Sequence, residues 1–474
     1  MKTTLAFLFL GLAALSANAQ WQPAARLTNS LGNSTTYANS NRCIAASGNA
    51  VHAVWNDMRN GDNDIFYKRS LDGGVTWEAD VALVTNTEFQ NLPSIAVSGS
   101  TVHLVWEDTR DGGSEIYYKR SNDAGVNWTD DTKISLQGSN LGMPSIASEG
   151  DNVHAVWLET SASFVEDVYH IASVDGGVTW GMETALSTQE SDEVQPTVAV
   201  SGNFVHVAWE DHRFYTGADW NDEIYYIRSA DGGATWGTEV RVSNNEEESL
   251  FPTIAASGAN VHIAWQDDRT GVMEVFTRSS TDNGTMWGTE TQVTSSAFIP
   301  SQLPSVAANG ADVHLVWSTL NMSSISIDLY YAKSTDAGAS WSAIQAVDEH
   351  QGSSTSPHIA VSGSRVHVLW QDDREVSGEP YDIEIYYTNN DNTSGIENIN
   401  ANAFSLYPNP TNNTLVIGSN ETTANETYTV TDHLGRVVMQ GKLTSNEISV
   451  NALANGLYML RIGNLTKAFA VQHH

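Results

Sequence analysis

Cysteine is almost absent from this chain. Its one cysteine among 474 residues, Cys43, rules out a disulfide within the chain. Cys43 aligns with Ser94 and Ser145 of later sequence repeats, at positions typical of small strand residues. We therefore interpret it as a buried small residue and not as a reactive thiol.

Positive charge is scarce as well. The chain has 22 lysines and arginines against 56 aspartates and glutamates, a formal net charge of −34. Such a surface repels nucleic acid and anionic membranes, so we predict neither as a partner. At long range it also disfavours an anionic substrate, and any anionic ligand has to be captured locally by arginines.

Long hydrophobic runs are confined to the first residues. Residues 1–19 combine Lys2, the apolar stretch Leu5–Leu15 and the small-residue site Ala17–Ala19, which is the pattern of a secretory signal peptide. The apolar stretch is too short to be a convincing membrane span. We predict a secreted protein without membrane insertion.

Helical periodicity is missing, and in its place one β-rich unit recurs seven times. Each unit contains Val-His-x-x-Trp, a polar loop and, in most copies, an apolar-aromatic-aromatic triplet. The histidines of successive units are 51 to 56 residues apart: His52, His103, His154, His206, His262, His314 and His367. Short strands at this period, four to a unit, predict an all-β fold, a seven-bladed β-propeller, with six blades as the alternative.

The element Ser-x-Asp-x-Gly-x-x-Trp occurs six times. Its aspartate can accept backbone hydrogen bonds in a turn, its glycine can adopt positive φ, and its tryptophan can bury an apolar face. The pattern resembles the Asp-box, or bacterial neuraminidase (BNR) repeat, of sialidase-like propellers. The resemblance implies a turn on the face away from the ligand, and hence a structural role for six aspartates: Asp72, Asp123, Asp175, Asp231, Asp282 and Asp336.

The seventh unit lacks this turn. Its third strand, Ile385–Tyr387, is followed by a polar stretch without a tryptophan. Residues Trp21–Asn29 align with Trp236–Asn244, the fourth-strand region of the fourth unit. We therefore predict that the mature N-terminus completes the last blade, which leaves no sheet edge unpaired, and that the propeller spans residues 20–395.

The composition changes near Asn398, and residues 396–474 predict a small C-terminal β-sandwich. This segment contains Tyr407-Pro-Asn-Pro410, Asp432-x-x-Gly-Arg436 and Gly456-x-Tyr458. It resembles the C-terminal sorting domain of the type IX secretion system of Bacteroidetes. The resemblance implies that this secretion machinery is a partner, and that the protein is released or held at the outer-membrane surface.

Five of the seven units carry Trp-x-Asp-x-Arg in the loop after the second strand, on the side where propellers bind ligands. The candidate ligand-binding arginines are Arg59, Arg110, Arg213, Arg269 and Arg374. Guanidinium groups suit bidentate binding of a carboxylate. The alternative is a loop brace in which each arginine pairs with its own or a neighbouring aspartate.

The fourth unit carries the one substantial loop insertion, Phe214–Asp222. Its tryptophan, Trp220, is the only one of 15 without a place in the repeat. An aromatic cluster beside carboxylates suits the stacking and hydroxyl contacts of a sugar, which makes Tyr215, Asp219, Trp220 and Asp222 candidates as well. The alternative is a loop packed on its neighbouring blade.

No metal site is predicted from the seven histidines, because equivalent positions on separate blades lie too far apart to share one ion. Hydrogen bonding within or between blades is the simpler interpretation. The stretch Asn60–Asp64 offers oxygen atoms that suit Ca²⁺, but it lacks the spacing of an EF-hand, and a solvated turn is the alternative. No other cofactor is predicted.

The first functional hypothesis is a non-catalytic or uncharacterised module that recognises an extracellular glycan or glycoprotein, acting as a monomer. The second is a glycoside hydrolase of the exo-α-sialidase type, and the third is a scaffold for protein interaction or adhesion. The aromatic-Arg-Ile-Pro motif of sialidases is absent, and no residue can be assigned as catalytic from the sequence.

Overall fold

All regular structure in the described residues is β-strand. The structure, a computed structural model, describes residues 21–29, 32–37, 42–136, 140–161, 165–187, 191–214, 221–296, 298–322, 326–350, 352–374, 383–390, 405–407, 411–418, 427–432, 436–443, 445–462 and 465–473. None of these residues forms a helix long and apolar enough to cross a membrane. The chain falls into two compact units that divide between residues 392 and 393.

The first unit contains seven antiparallel sheets. Its strands are β1 (Ala25–Arg26), β2 (Ser34–Thr35), β3 (Ile44–Ser47), β4 (Ala50–Asp57), β5 (Asp64–Ser70), β6 (Val81–Val84), β7 (Gln90–Ser98), β8 (Thr101–Asp108), β9 (Glu115–Ser121), β10 (Thr132–Lys133), β11 (Leu141–Glu149), β12 (Asn152–Thr160), β13 (Glu166–Ser173), β14 (Thr184–Ala185), β15 (Glu193–Ser201), β16 (Phe204–Asp211), β17 (Glu223–Ser229), β18 (Val240–Arg241), β19 (Ser249–Ser257), β20 (Asn260–Asp267), β21 (Glu274–Ser280), β22 (Thr291–Gln292), β23 (Ser301–Asn309), β24 (Asp312–Asn321), β25 (Ser326–Ser334), β26 (Gln345–Asp348), β27 (Ser354–Ser362), β28 (Arg365–Asp372) and β29 (Glu384–Asn390).

Each sequence unit forms one sheet, numbered here blade 1 to blade 7 in chain order. Blades 2 to 6 have the simple order of four consecutive strands, from β7–β10 to β23–β26. The innermost strands β3, β7, β11, β15, β19, β23 and β27 contact their neighbours in a cycle that returns from β27 to β3. A closed ring of meander sheets is a β-propeller.

The N-terminal strand completes blade 7. Strand β1 pairs with β29, and Trp21 forms a bridge to Asn390 at the same edge. Glu384 accepts hydrogen bonds from Arg26 and from the Thr28 hydroxyl, so the closing strand is also held by side chains. The order β1-β29-β28-β27 is the arrangement that the alignment of Trp21–Asn29 predicts.

Blade 1 differs from the others in its innermost strand. In blades 2 to 7 this strand is continuous and contains a register shift just before a proline, as between Asn91 and Ser94. In blade 1 it is split into β2 and β3, which both pair with β4. Arg42 occupies the position that a proline holds in the other six blades.

A second-strand tryptophan fills the core of each blade. Each is at most 1% exposed: Trp55, Trp106, Trp157, Trp209, Trp265, Trp317 and Trp370. Around them pack the alternating valines, isoleucines and leucines of neighbouring strands. Burial of these large apolar faces is the main stabilisation of the propeller.

The repeated histidines form hydrogen bonds inside their own blades. Each donates or accepts through Nδ1 at 2.6–3.0 Å, as in the pairs His52 with Tyr67 and His103 with Tyr118. Burial lowers the pKa of His52 and of His103 to about 4. The repeated histidines are therefore buried scaffold residues.

Aromatic contacts join neighbouring blades. The Asp-box tryptophan of one blade meets the third strand of the preceding blade edge to face, with ring centroids 4.8–5.1 Å apart. Trp128 of blade 2 contacts Tyr67 of blade 1 in this way, and Trp21 contacts Tyr331 of blade 6. Trp21 thus takes the structural place of the missing Asp-box tryptophan in blade 7.

The second unit is a small β-sandwich of two sheets. Its strands are β30 (Ser405–Tyr407), β31 (Thr414–Gly418), β32 (Thr427–Asp432), β33 (Val437–Lys442), β34 (Glu447–Ser449), β35 (Gly456–Ile462) and β36 (Leu465–Val471). One sheet has the order β30-β31-β34 and the other β33-β32-β35-β36. Leu415, Val430, Leu460 and Phe469 share one buried cluster between them.

Candidate functional site

The loops of the propeller divide between two sides of the ring. In an antiparallel meander the connections from strand two to strand three, and from strand four to the next blade, lie at one end of the strands. We call this end the loop face. The Asp-box turns lie at the opposite end, where each carboxylate is held by its own turn: Asp72 accepts from Ser70, from the Thr76 amide and from the Thr76 hydroxyl.

On the loop face, each predicted arginine is paired with carboxylates of the propeller, all from its own blade except Asp348 of blade 6, which pairs with Arg374 of blade 7. In blade 2, Arg110 donates to both oxygens of Asp108, from Nε at 2.9 Å and from Nη2 at 2.5 Å. Its Nη1 donates to Asp131 at 2.9 Å. The guanidinium also lies 4.4 Å from the centre of the Tyr117 ring. Both edges and one face of this cation are therefore occupied within the protein.

The other four arginines repeat this geometry. Each forms a bidentate pair with the aspartate two residues before it and reaches a second carboxylate: Asp80 for Arg59, Glu239 for Arg213, Glu290 for Arg269 and Asp348 for Arg374. The structure thus places all five in the brace arrangement. A role in ligand binding stays a prediction, and it would require these ion pairs to open.

The aspartate of this loop also serves the buried tryptophan. Asp108 Oδ2 accepts a hydrogen bond from Trp106 Nε1 at 2.9 Å. Blade 3 lacks the aspartate, and there the buried Nε1 of Trp157 has no hydrogen-bond partner. Burial by itself would raise the pKa of Asp372. Hydrogen bonds from Arg374, Ser354 and Trp370 outweigh this effect and lower the pKa to about 2. The Trp-x-Asp-x-Arg pattern therefore encodes a stabilising network.

A cavity of about 210 Å³ lies at the centre of the ring, between the innermost strands. Its walls are mainly alanine and other small apolar residues, and Arg42 is its one charged lining residue. Arg42 Nη2 donates to the Ile254 carbonyl of blade 5 at 2.5 Å. Burial lowers the pKa of Arg42 to about 10, which still leaves it charged at neutral pH. Within the described part of the chain, no ion pair joins this guanidinium to a carboxylate.

Arg42 was not among the residues singled out from the sequence. A signal for it existed, because six units have proline where the first unit has arginine. The candidate arginines from the sequence were those that recur in five units. Arg42 occurs at its position in one unit only, so the repeat pattern did not select it.

A second cluster lies at the loop-face end of blade 4. His212 Nε2 is 3.2 Å from Glu210 Oε1 and 3.9 Å from Asp222 Oδ2. Asp222 is 4% exposed and Glu210 is 6% exposed. Burial raises the pKa of Asp222 to about 6. Burial would lower the pKa of His212, but the hydrogen bond that its Nε2 donates to Glu210 and the charge of Asp222 raise this pKa overall.

The structure therefore brings one sequence candidate, Asp222, together with two residues that the sequence did not suggest. The sequence contained a signal for His212 and Asp222. No other unit combines a histidine at the position of His212 with an aspartate at the position of Asp222. Tyr215, Asp219 and Trp220, like the predicted signal peptide 1–19, lie outside the described residues.

The acidic stretch of blade 1 is compact but offers a weaker site. Asp64 accepts a hydrogen bond from Asn60 Nδ2 at 2.6 Å. Asn60, Asp62 and Asp64 border a surface depression of about 250 Å³. Calcium binding by these oxygens stays a prediction.

Comparison with known proteins identifies the C-terminal unit and the fold of the propeller. Residues 405–472 match the family model of the secretion system C-terminal sorting domain. No curated protein matches the sequence of this chain.

Among solved structures, the polysaccharide lyase Uly1 is similar, with a TM-score of 0.53 and 12% identity over 75% of this chain and 91% of that chain. The endosialidase of phage phi92 has a TM-score of 0.50 and 9% identity over 95% of this chain and 87% of that chain. Identities this low establish the fold alone. The chain has the fold of a β-propeller followed by a C-terminal sorting domain of the type IX secretion system, and this sorting domain indicates a protein that is secreted or held at the cell surface.

Proposed function

We propose that the propeller binds an acidic extracellular glycan at its central cavity, with Arg42 as the carboxylate-binding residue. The observation that carries this proposal is the guanidinium of Arg42, the one charged group lining the cavity, bonded there to a backbone carbonyl. The five loop arginines hold carboxylates of the protein itself. Arg42 is thus the arginine in the cavity that can exchange its partner for a ligand.

The electrostatics favour an anchor of this kind. A net charge of −34 repels an anionic sugar at long range, so binding requires a local cation in a site of low dielectric. Guanidinium matches a carboxylate in shape and can bind it through two parallel hydrogen bonds. The small apolar walls around it leave room for a sugar substituent and restrict water.

The relatives in fold support a saccharide as the ligand class. One is a polysaccharide lyase and the other an endosialidase, so this architecture carries glycan-directed sites in other proteins. The sorting domain provides the extracellular location in which such a ligand is met.

A glycan array with the mature protein tests this proposal. We expect binding to sialylated or uronic-acid glycans and none to their neutral counterparts, and we expect Arg42→Met to abolish it. Arg120→Met is the matched control, because Arg120 donates to the Gly176 carbonyl at the Asp-box side. Binding that survives Arg42→Met in a folded variant, or a preference for neutral glycans, would overturn the proposal.

Exo-sialidase activity is the alternative and is distinguished in the same samples. A fluorogenic sialoside reports turnover directly. Hydrolysis by the wild-type protein above that of a heat-treated control would show that the protein is a sialidase and not a non-catalytic binding protein. Because no catalytic pair is assigned, we expect no turnover.

A further inference from the structure

The cluster of Glu210, His212 and Asp222 is distinct from the central cavity. The two lie on different parts of the propeller, and none of the three side chains lines the cavity around Arg42. Each of the three offers one ligand atom, and these atoms lie within 4.8 Å of one another. This spacing allows a single ion to contact all three groups.

Asp222 is a buried carboxylate whose charge is poorly compensated. It is 4% exposed, and its Oδ1 has no hydrogen-bond partner among the residues that the structure describes. Its electrostatic neighbours are His212, Glu210, Glu248 and Asp211, of which only His212 can carry positive charge. An unpaired buried carboxylate oxygen is costly, so a bound cation is the natural partner.

A similar cluster between blades 6 and 7 shows how such charges can be compensated. Asp348, His350 and Asp372 also lie within 4.8 Å of one another. There, Arg374 donates to both aspartates, and Asp372 accepts further bonds from Trp370 and Ser354. In blade 4 the equivalent arginine, Arg213, pairs with Asp211 and Glu239, which are not members of the cluster. Among the described residues, the ion pairs of Glu210 and Asp222 are with His212 alone, whereas Arg374 pairs with both aspartates of the other cluster.

We propose that Glu210, His212 and Asp222 bind one divalent transition-metal ion of the Zn²⁺ class. Two carboxylates and one imidazole form a mixed oxygen and nitrogen donor set that suits Zn²⁺ or Mn²⁺, whereas Ca²⁺ prefers oxygen donors alone. Glu210 is already oriented, because its Oε2 accepts a hydrogen bond from the Phe251 amide at 2.9 Å. Such support of a ligand by a second contact is a common feature of metal sites.

The positions of the three ligands indicate a structural use for the ion. Glu210 and His212 precede the insertion of blade 4 in the sequence, and Asp222 is its last residue. A metal bound by all three residues therefore links the end of strand β16 to the start of strand β17. This site does not depend on the proposed binding of a glycan by Arg42.

Isothermal titration of Zn²⁺ into the untagged, chelator-treated mature protein tests the proposal. We expect one ion per chain, with affinity reduced at least tenfold in both Asp222→Asn and His212→Gln. His350→Gln in the cluster between blades 6 and 7 is the matched control and should bind as the wild type does. Thermal unfolding without metal checks that each variant is folded, and a variant that is not folded is replaced by Glu210→Gln.

The effect of Zn²⁺ on Tm and the comparison with Ca²⁺ provide two further tests of the proposed site. Zn²⁺ should raise the Tm of the wild type and of His350→Gln but not of Asp222→Asn, because only a metal that binds the folded state stabilises it. The proposal is overturned if Zn²⁺ does not bind, if folded Asp222→Asn binds it equally well, or if binding is lost in His350→Gln instead. A stronger response to Ca²⁺ than to Zn²⁺ would exclude the stated metal class.

Discussion

The aspartates of the arginine loops show how much a single residue can do in a repeat. Asp267 accepts hydrogen bonds from Trp265 Nε1, from the Arg269 backbone and guanidinium, and from Ser249. This one carboxylate therefore connects the blade core to the loop. The same residue type at the same place in five blades is explained by stability, without reference to a ligand.

Replacing one of these arginines should affect folding more than binding. We expect Arg269→Ala to lower the free energy of unfolding by about 1–3 kcal/mol, because it leaves buried Asp267 with fewer charged hydrogen bonds. Urea unfolding measures this change, and the glycan array of the same variant should match the wild type. Lost glycan binding at unchanged stability would instead support the ligand role that the sequence suggested.

At the scale of the element, the Asp-box turn couples two blades. This coupling depends on the glycine of the turn, which leaves room for the third-strand tyrosine of the preceding blade. A Cβ built at Gly125 of blade 2 would lie 1.8 Å from the Tyr67 hydroxyl oxygen of blade 1. Tyr67 in turn bonds His52 at 2.6 Å, so one turn, one tyrosine and one histidine form a continuous contact.

Two glycines of blade 2 allow the cost of a steric clash to be distinguished from the cost of backbone strain. Gly99 and Gly125 have φ of +60° and +81°, but a Cβ at Gly99 meets nothing within 4 Å. We expect Gly99→Ala to cost only the backbone strain, about 1–2 kcal/mol, because an L-residue is disfavoured at positive φ. Gly125→Ala should add about 1–3 kcal/mol for overpacking against Tyr67.

Chemical denaturation of the two variants provides the measurement. Equal losses of unfolding free energy would show that contact between the blades contributes nothing at this turn.

At the scale of the whole molecule, the ring is closed by residues from both ends of the propeller sequence. Strand β1 supplies the outer edge of blade 7, and Trp21 packs on Tyr331 of blade 6. Inside this ring the seven repeated histidines are buried, as are His170 and His358, and burial favours their neutral form. Stability should consequently depend on pH in a way that involves all seven blades.

The sign of that dependence follows from burial. Burial lowers the folded-state pKa of five of the repeated histidines to about 4 and of His206 and His367 to about 3, against 6.5 for the free side chain. Below pH 6.5 the unfolded chain therefore binds more protons. The histidine contribution to stability should fall from pH 6.5 toward pH 3–4 and then level off.

Urea unfolding between pH 7 and pH 4 checks this expectation. His52→Gln should reduce the slope of unfolding free energy against pH, because one of the buried titrating histidines is removed. Glu193 acts in the opposite direction, since burial raises its pKa to about 8 and its contribution is lost as pH rises from 4.5. A stability that does not change between pH 6.5 and pH 4 would contradict the assignment of neutral buried histidines.

The sequence by itself determined the features that are local or periodic. The unit of about 50 residues predicts a propeller blade, the turn motif predicts a structural aspartate, and the alignment of Trp21 with Trp236 predicts the closing strand. The sorting domain was recognisable from its own motifs. These features are readable because strand pairing and tight turns depend on residues close in sequence or related by the repeat.

Only the tertiary structure decided which charges meet. Arg42 reaches Ile254, 212 positions away, and each loop arginine pairs with a second carboxylate 21 or 26 positions away, which for Arg374 lies earlier in the chain. Glu210, His212 and Asp222 converge because blade 4 folds its second and third strands back on one another across the insertion. The energy of a pair of charges depends on the distance between them in space. The folding of each blade and the closure of the ring set these distances, and the sequence separation of the residues does not.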